Sequence, residues 1–161
     1  MESISFDPVL PDNCKILILG TMPGIKSLEA QEYYAHERNS FWPIIFNIFD
    51  EEINLNYKVK LNVLIKNGIG LWDTLQYCYR EGSLDSNIKN AEPNKITDLL
   101  LQKELIRNVI FNGKGAEKYY DKFHQRIKRI EYHSLPSTSP ANARIKFNDK
   151  LHAWSVLKLL L

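Results

Sequence analysis

The chain predicts an α/β fold, a three-layer α/β/α sandwich around a central, mostly parallel four-stranded sheet. Three observations carry that prediction. Short apolar runs bounded by Gly, Asn or Pro recur along the 161 residues, and runs of that length suit strands covered on both faces. Helical stretches separate them, giving the alternating order that builds a parallel sheet with helices on either side. The first run, Ile16-Leu17-Ile18-Leu19, ends in Gly20-Thr21-Met22-Pro23-Gly24. Such a tight loop falls at the carboxyl edge of the sheet, where open α/β folds bind ligands.

Taken in order, strands are expected over residues 15–19, 68–72, 108–111 and 127–133. Helices are expected over 41–49, 57–66, 73–79, 94–105, 114–123 and 148–160. In the last helix Leu151, Trp154, Leu157 and Leu161 keep the three-and-four spacing of an amphipathic face, with Asn148 placed as an N-cap. Residues 82–94 form the one long polar connection, the kind of segment that often carries function. With no repeat, low-complexity tract or linker, residues 1–161 read as one domain, long enough for a sizeable core.

Composition narrows the class. Hydrophobic residues at 44% and charged ones at 25% are an ordinary globular balance. No apolar run approaches the ~18 residues of a membrane span, and the first residues lack a signal-peptide pattern. Cys14 and Cys78 are too few for a four-cysteine cluster, and isolated thiols fit a reducing cytoplasm. The four histidines show no metal-ligand spacing, so neither metal nor cofactor is expected. A net charge of +2 does not argue for nucleic acid by itself. Lys114, Lys118, Lys122 and Arg126 recur every four residues, a stripe that either tracks phosphates or is a solvated helix face.

Gly20 and Gly24 lack Cβ atoms, so a ligand can approach the main chain between them, and Pro23 stiffens the loop. Three further segments read as edges of the same site: Ala35-His36-Glu37-Arg38-Asn39-Ser40-Phe41-Trp42, Val109-Ile110-Phe111-Asn112-Gly113, and Ser137-Thr138-Ser139-Pro140-Ala141-Asn142-Ala143-Arg144. In this order, nearly the whole chain resembles the uracil-DNA glycosylase superfamily, and within it the hypoxanthine (deoxyinosine)-DNA glycosylase branch. The resemblance implies a monofunctional hydrolase of the N-glycosidic bond of a deaminated base. Hypoxanthine is the first choice, uracil and xanthine are open alternatives, and an abasic site is left behind. It implies double- or single-stranded DNA as partner, no membrane, and a monomer.

The residues then take candidate roles. Asn112 ends an apolar strand, and its carboxamide sets a donor beside an acceptor. That edge matches O6 and N1–H of hypoxanthine or O4 and N3–H of uracil; capping a strand-to-helix turn is the alternative. Gly20, Thr21 and Met22 line the base side, with Phe41, Trp42, Tyr33 and Tyr34 as stacking candidates. Asn39 is the implied catalytic residue, orienting water towards an oxocarbenium-like sugar, with His36 and Glu37 as titratable neighbours. Taken alone, Asn39 could equally cap the helix at Phe41. Thr21 and Met22 stand at the variable positions where many superfamily members hold a water with Asp or Asn. Thr21 could bind a water weakly and Met22 cannot, a departure that agrees with catalysis moving to Asn39.

Ser139, Pro140, Asn142 and Arg144 resemble the loop that grips DNA and fills the gap left by an extruded base. Lys114 reads as a phosphate contact rather than a Schiff-base nucleophile. His133 lies outside the second motif and reads as a buried strand-end histidine. A DNA- or nucleotide-binding protein that keeps the fold without the chemistry is the rival class.

Overall fold

The computed structural model describes residues 1–161. In chain order the first half contains β1 (Glu2–Ile4), β2 (Ile16–Gly20), α1 (Ile25–Ala30), α2 (Phe41–Ile48), α3 (Tyr57–Lys66), β3 (Ile69–Asp73) and β4 (Leu75–Tyr79). The second half adds β5 (Lys89–Pro93), α4 (Ile96–Gln102), β6 (Asn108–Asn112), α5 (Lys114–Phe123), β7 (Glu131–Leu135), α6 (Phe147–Trp154) and α7 (Val156–Leu160).

The central sheet has the order β3-β2-β6-β7, and every neighbouring pair is parallel. Alternation along β2 explains the three layers. Ile16 and Ile18 face a core shared with α2, α3, α6 and α7, whereas Leu17 and Leu19 face one shared with α4 and α5. Both faces are covered, so the strand reads as an unbroken apolar run. The register sets Gly20 opposite Asp73 and Leu19 opposite Phe111. The carboxyl ends of β2, β3 and β6 therefore finish at one edge.

One expected helix is a strand. Residues 73–79 form the end of β3 and then β4, the centre of an antiparallel sheet of order β1-β4-β5. Register shifts in the β4–β5 pairing break strict alternation, so buried residues fall at Leu75 and Cys78. That spacing of three imitates a helix, while the bulged strand accounts for it equally well. The long connection after Gly82 is thus partly β5. The last helix starts at Phe147, with Lys146 as its N-cap, so Asn148 lies inside its first turn, and it is interrupted at Ser155. The final strand is Glu131–Leu135 rather than 127–133, because Leu135 pairs opposite Asn112 at the sheet edge. Helix α1 was not legible: six residues are too short for a periodic signal.

Candidate active-site cleft

A cleft of about 1060 Å³ opens at the carboxyl edge of the parallel sheet, roomy enough for an extruded nucleotide by the usual size of ligand sites, ~300–1,000 Å³. Its walls include Gly20 to Gly24, Tyr34, Asn39, Asp73, Asn112, Lys114 and the segment from Ser134 to Asn142 with Arg144. Five segments distant in sequence meet there, four of them because the carboxyl ends of β2, β3, β6 and β7 finish at one edge.

The floor is the β2–β3–β6 edge. Asp73, Asn112, Thr21 and Met22 are all buried there. A Cβ on Gly20 would sit 2.5 Å from Asp73 Oδ1 and 3.1 Å from the Tyr34 hydroxyl, so glycine is what lets these two polar groups close over the strand end. The loop beyond is held from below. Thr74 and Leu75 donate to the Gly20 and Thr21 carbonyls at 2.8 and 3.1 Å. Arg80, fully buried, donates to the Pro23 carbonyl and lies 3.8 Å from Asp85 Oδ1. Thr21 Oγ1 donates to Asp85 Oδ2 at 2.9 Å, so Thr21 is engaged with the loop after β4 rather than presenting a free hydroxyl.

Asn112 lies in the cleft wall, but its amide edge is occupied. Nδ2 donates to Thr138 Oγ1 at 2.9 Å, and Oδ1 accepts from Thr138 N at 3.0 Å. The expectation of an edge free for a base is corrected: it clamps the loop after β7, and one N–H and one lone pair remain. Thr138 is wholly buried and also accepts from Ser40 N at 3.0 Å, tying three cleft segments together. Its position inside a run of small polar residues gave no sequence signal for that role. Gly113 has φ +92°, and a Cβ there would meet Ser137 Cβ at 2.8 Å, which brings the two loops into contact.

The N-cap of α2 is Ser40, not Asn39. Asn39, one residue earlier, accepts from Phe41 N through Oδ1 at 2.9 Å, and it borders the cleft. His36 shares that wall, its Nδ1 accepting from Arg38 N at 3.0 Å; Glu37 does not line the cleft. Phe41 requires a correction. It is 0% exposed and absent from the wall, its ring backing Tyr34 with centroids 4.1 Å apart. Trp42 is also buried, Nε1 donating to the Tyr33 carbonyl at 2.8 Å. Tyr33 and Tyr34 are the aromatics of the lining; the Tyr34 hydroxyl reaches Gly20 at the floor, whereas that of Tyr33 donates to the Asp7 carbonyl at 2.9 Å.

The rim is half-buried and largely self-satisfied, with exposed cations at its ends. Ser139 Oγ accepts from Ala141 N at 3.2 Å, capping the short turn that Pro140 begins. Asn142 Nδ2 donates to the Ser137 carbonyl at 3.0 Å, so this side chain shapes its own loop. Trp154 Nε1 fixes the Pro136 carbonyl at 2.9 Å. Arg144 is exposed without an ion pair, and Lys114 is 88% exposed at the start of α5, 3.6 Å from Glu117. The basic stripe does not continue as one helical face: α5 ends at Phe123, and Arg126 pairs with Glu117 and Asp121 at 2.9 and 3.0 Å. His133 sits in the middle of β7, half-buried, bonded to Asn108 Oδ1 at 3.0 Å and away from the cleft.

Asp73 is the floor residue that sequence reasoning missed. It is 3% exposed, its Oδ2 has no hydrogen-bond partner, and neither has the Tyr34 hydroxyl. Burial first, then the nearby Asp85 charge, push its carboxyl up to about 7, against a lowering by Arg80. Burial also raises Asp85 and Tyr34. A carboxylate ending the apolar run Ile69-Gly70-Leu71-Trp72 was a usable signal. It was hidden by the assignment of residue 73 to a helix start, where Asp is commonplace.

The geometry defines a cleft at the edge of an α/β sheet, with a buried polar floor and the exposed cations Lys114 and Arg144 at its rim, and comparison with known proteins specifies the class. Residues 8–158 match the family model described as the uracil DNA glycosylase superfamily. Two relatives described as hypoxanthine DNA glycosylase come from Methanosarcina barkeri and Methanosarcina acetivorans. They are 37% and 38% identical, over 89% of this chain and 90% of theirs. The solution NMR structure of a candidate uracil DNA glycosylase from Methanosarcina acetivorans superposes with a TM-score of 0.86 at 35% identity, covering 99% of both chains. The chain belongs to the uracil DNA glycosylase superfamily. It is a DNA glycosylase, a hydrolase of N-glycosyl bonds acting on DNA.

Proposed function

We propose that this enzyme removes hypoxanthine from DNA, leaving an abasic site, as a monofunctional glycosylase. The observation that carries this reading is the convergence of Gly20–Gly24, Asn39, Asn112 and Ser137–Arg144 on one cleft, in a chain over a third identical to two hypoxanthine DNA glycosylases.

A base extruded from the duplex enters the floor, while sugar and phosphates stay at the rim. Asn39 keeps a lone pair on Oδ1 and its Nδ2 protons, enough to orient a water towards C1′. Asn112 offers its remaining N–H or lone pair to the base and holds the clamp loop through Thr138. Met22 supplies an apolar contact, and the ring of Tyr34, braced by Phe41, flanks the base. Arg144, Lys114 and the Ser139–Pro140 turn neutralise or hold phosphates. Asn142 supports that turn. The reading takes the enzyme as a one-domain monomer acting on paired or single-stranded DNA. Two buried free thiols support a cytoplasmic setting, and no helix is long and apolar enough to cross a membrane.

Duplexes and single strands containing inosine, uracil, xanthosine or only normal bases, treated with enzyme and then hot alkali, test the reading. Strand breakage is expected at inosine above all. Breakage at uracil alone, or binding without breakage at any base, would overturn it.

A further inference from the structure

Resting on the hypoxanthine reading, we infer that Asp73 is a second catalytic residue, a buried carboxylic acid that gives its proton to the base as the base departs. Four observations converge. Asp73 closes β3 opposite Gly20 and is a buried residue of the cleft lining, beneath the loop that begins at Gly20. Its Oδ2 is buried and unpartnered, a state that costs free energy unless a ligand completes it. The Tyr34 hydroxyl also makes no hydrogen bond, although the Asn112 amide lies near it, and it borders the same point above Gly20. Tyr34 is held there by a left-handed backbone, φ 56°, an unfavourable conformation for a bulky residue. Two unsatisfied groups positioned at a strained residue describe a site prepared for a polar ligand.

The protonation state follows from the surroundings. The groups facing Asp73 are Tyr33 and Tyr34 from the loop before α2, Asp85 from the loop after β4, and Arg80 beyond β4. Only Arg80 favours the carboxylate, and it is shared with Asp85 and the Pro23 carbonyl. A neutral purine entering the cleft removes more water, which further favours the neutral acid. A carboxylate would repel the electron pair that the leaving base acquires; a carboxylic acid accommodates it.

The step balances without a further reactant. The C1′–N bond breaks with its electron pair going to the base. The Asp73 proton passes to an acceptor atom of that base, which leaves neutral. Water bonds to C1′, and the proton it releases restores the carboxyl through cleft water. Asn39 and Asp73 thus divide the work: one serves the sugar side, the other the base side.

Single-turnover release of hypoxanthine from an inosine duplex is measured from pH 5.5 to 9 for the wild type, Asp73→Asn and Tyr34→Phe. The wild-type rate should hold up to about 7, where the carboxyl of the free enzyme titrates, and fall at higher pH. Asp73→Asn, which donates a hydrogen bond but no transferable proton, should lose roughly 100-fold or more below that pH and become flat with pH. Its affinity for a duplex carrying non-cleavable 2′-fluoro-deoxyinosine should stay near wild type. Tyr34→Phe should lose less and keep the falling limb. In the 2′-fluoro complex at pH 7, carbon NMR should show Asp73 protonated. A wild-type rate that rises through pH 7, an ionised Asp73 in the complex, or an Asp73→Asn profile matching wild type would overturn the role of Asp73 alone. Failure of the wild type to release hypoxanthine at any pH takes down the substrate reading with it. If Asp73→Asn fails to fold, the wild-type profile and the carboxyl spectrum still decide.

Discussion

Floor and rim of the cleft are built on opposite terms. On the floor, Asp73 and Tyr34 are buried with polar atoms unpaired. At the rim, Ser139 and Asn142 have every key contact made inside their own loop, and Lys114 and Arg144 stand in solvent. Unpaired buried groups cost stability, and solvated charges cost almost none. The difference teaches where recognition is stored: the floor is destabilised until a base completes it, and the rim is a preformed grip needing only charge. Between them, Thr138 and Arg80 make the partition possible by holding the loops rigid.

The largest expected effect falls where floor and rim meet. Asn39→Ala should lower single-turnover release of hypoxanthine by ~100-fold or more, because orientation of water towards the sugar cation is lost. DNA affinity, measured by fluorescence anisotropy, should barely change. Near wild-type turnover would remove Asn39 from the mechanism and leave the floor acting alone.

A second prediction sharpens the contrast through stability. The folded Asp73 carboxyl titrates near 7, above its ordinary 3.8. Between those values the folded state holds a proton that the unfolded chain has lost. The stabilisation is fully present below about pH 4 and disappears as pH rises through 7, a difference on the order of 4 kcal/mol. Asp73→Asn should therefore be less pH-sensitive than wild type in urea unfolding between pH 5 and 8, and relatively more stable at the upper end. Parallel curves for the two proteins would show that the floor carboxyl is already satisfied.

Thr138→Val comes next. It keeps shape but removes the acceptor for Asn112 Nδ2, leaving a buried donor unpaired at a cost of ~1–3 kcal/mol. Excision should fall in step, because the rim loop loses one of its two bonds to Asn112 of β6. Unchanged unfolding midpoint and rate would mean the two regions are independent. The smallest effect is expected at the rim itself. Arg144→Ala should weaken DNA binding and reduce the salt slope by about 0.9, the loss of one neutralised phosphate. No change in slope would place Arg144 off the DNA path.

The parallel sheet and its glycine-bearing edge were legible because burial on both faces leaves continuous apolar runs such as Ile16–Leu19, and because Gly20, Asn112 and Ser139-Pro140 punctuate their ends. The antiparallel sheet was not. Its bulged strand β4 spaces Leu75 and Cys78 like a helix, and that misassignment also concealed Asp73. Phe41 and Asn112 show a different limit. Residue type announced an aromatic and an amide near the site, but only packing reveals that Phe41 lies behind Tyr34 and that the Asn112 edge faces Thr138. Sequence identifies which chemistry is available; the direction a side chain takes is settled by neighbours far along the chain.

The partition between floor and rim is tested most directly by NMR titration of the labelled enzyme with two ligands, free hypoxanthine and a duplex containing an abasic site. Hypoxanthine should shift resonances of Gly20, Tyr34, Asp73 and Asn112 while leaving Ser139 and Arg144 unmoved. The abasic duplex should do the reverse, acting on Lys114, Ser139 and Arg144. Perturbation of the same residues by both ligands, or of no cleft residue by hypoxanthine, would contradict the account.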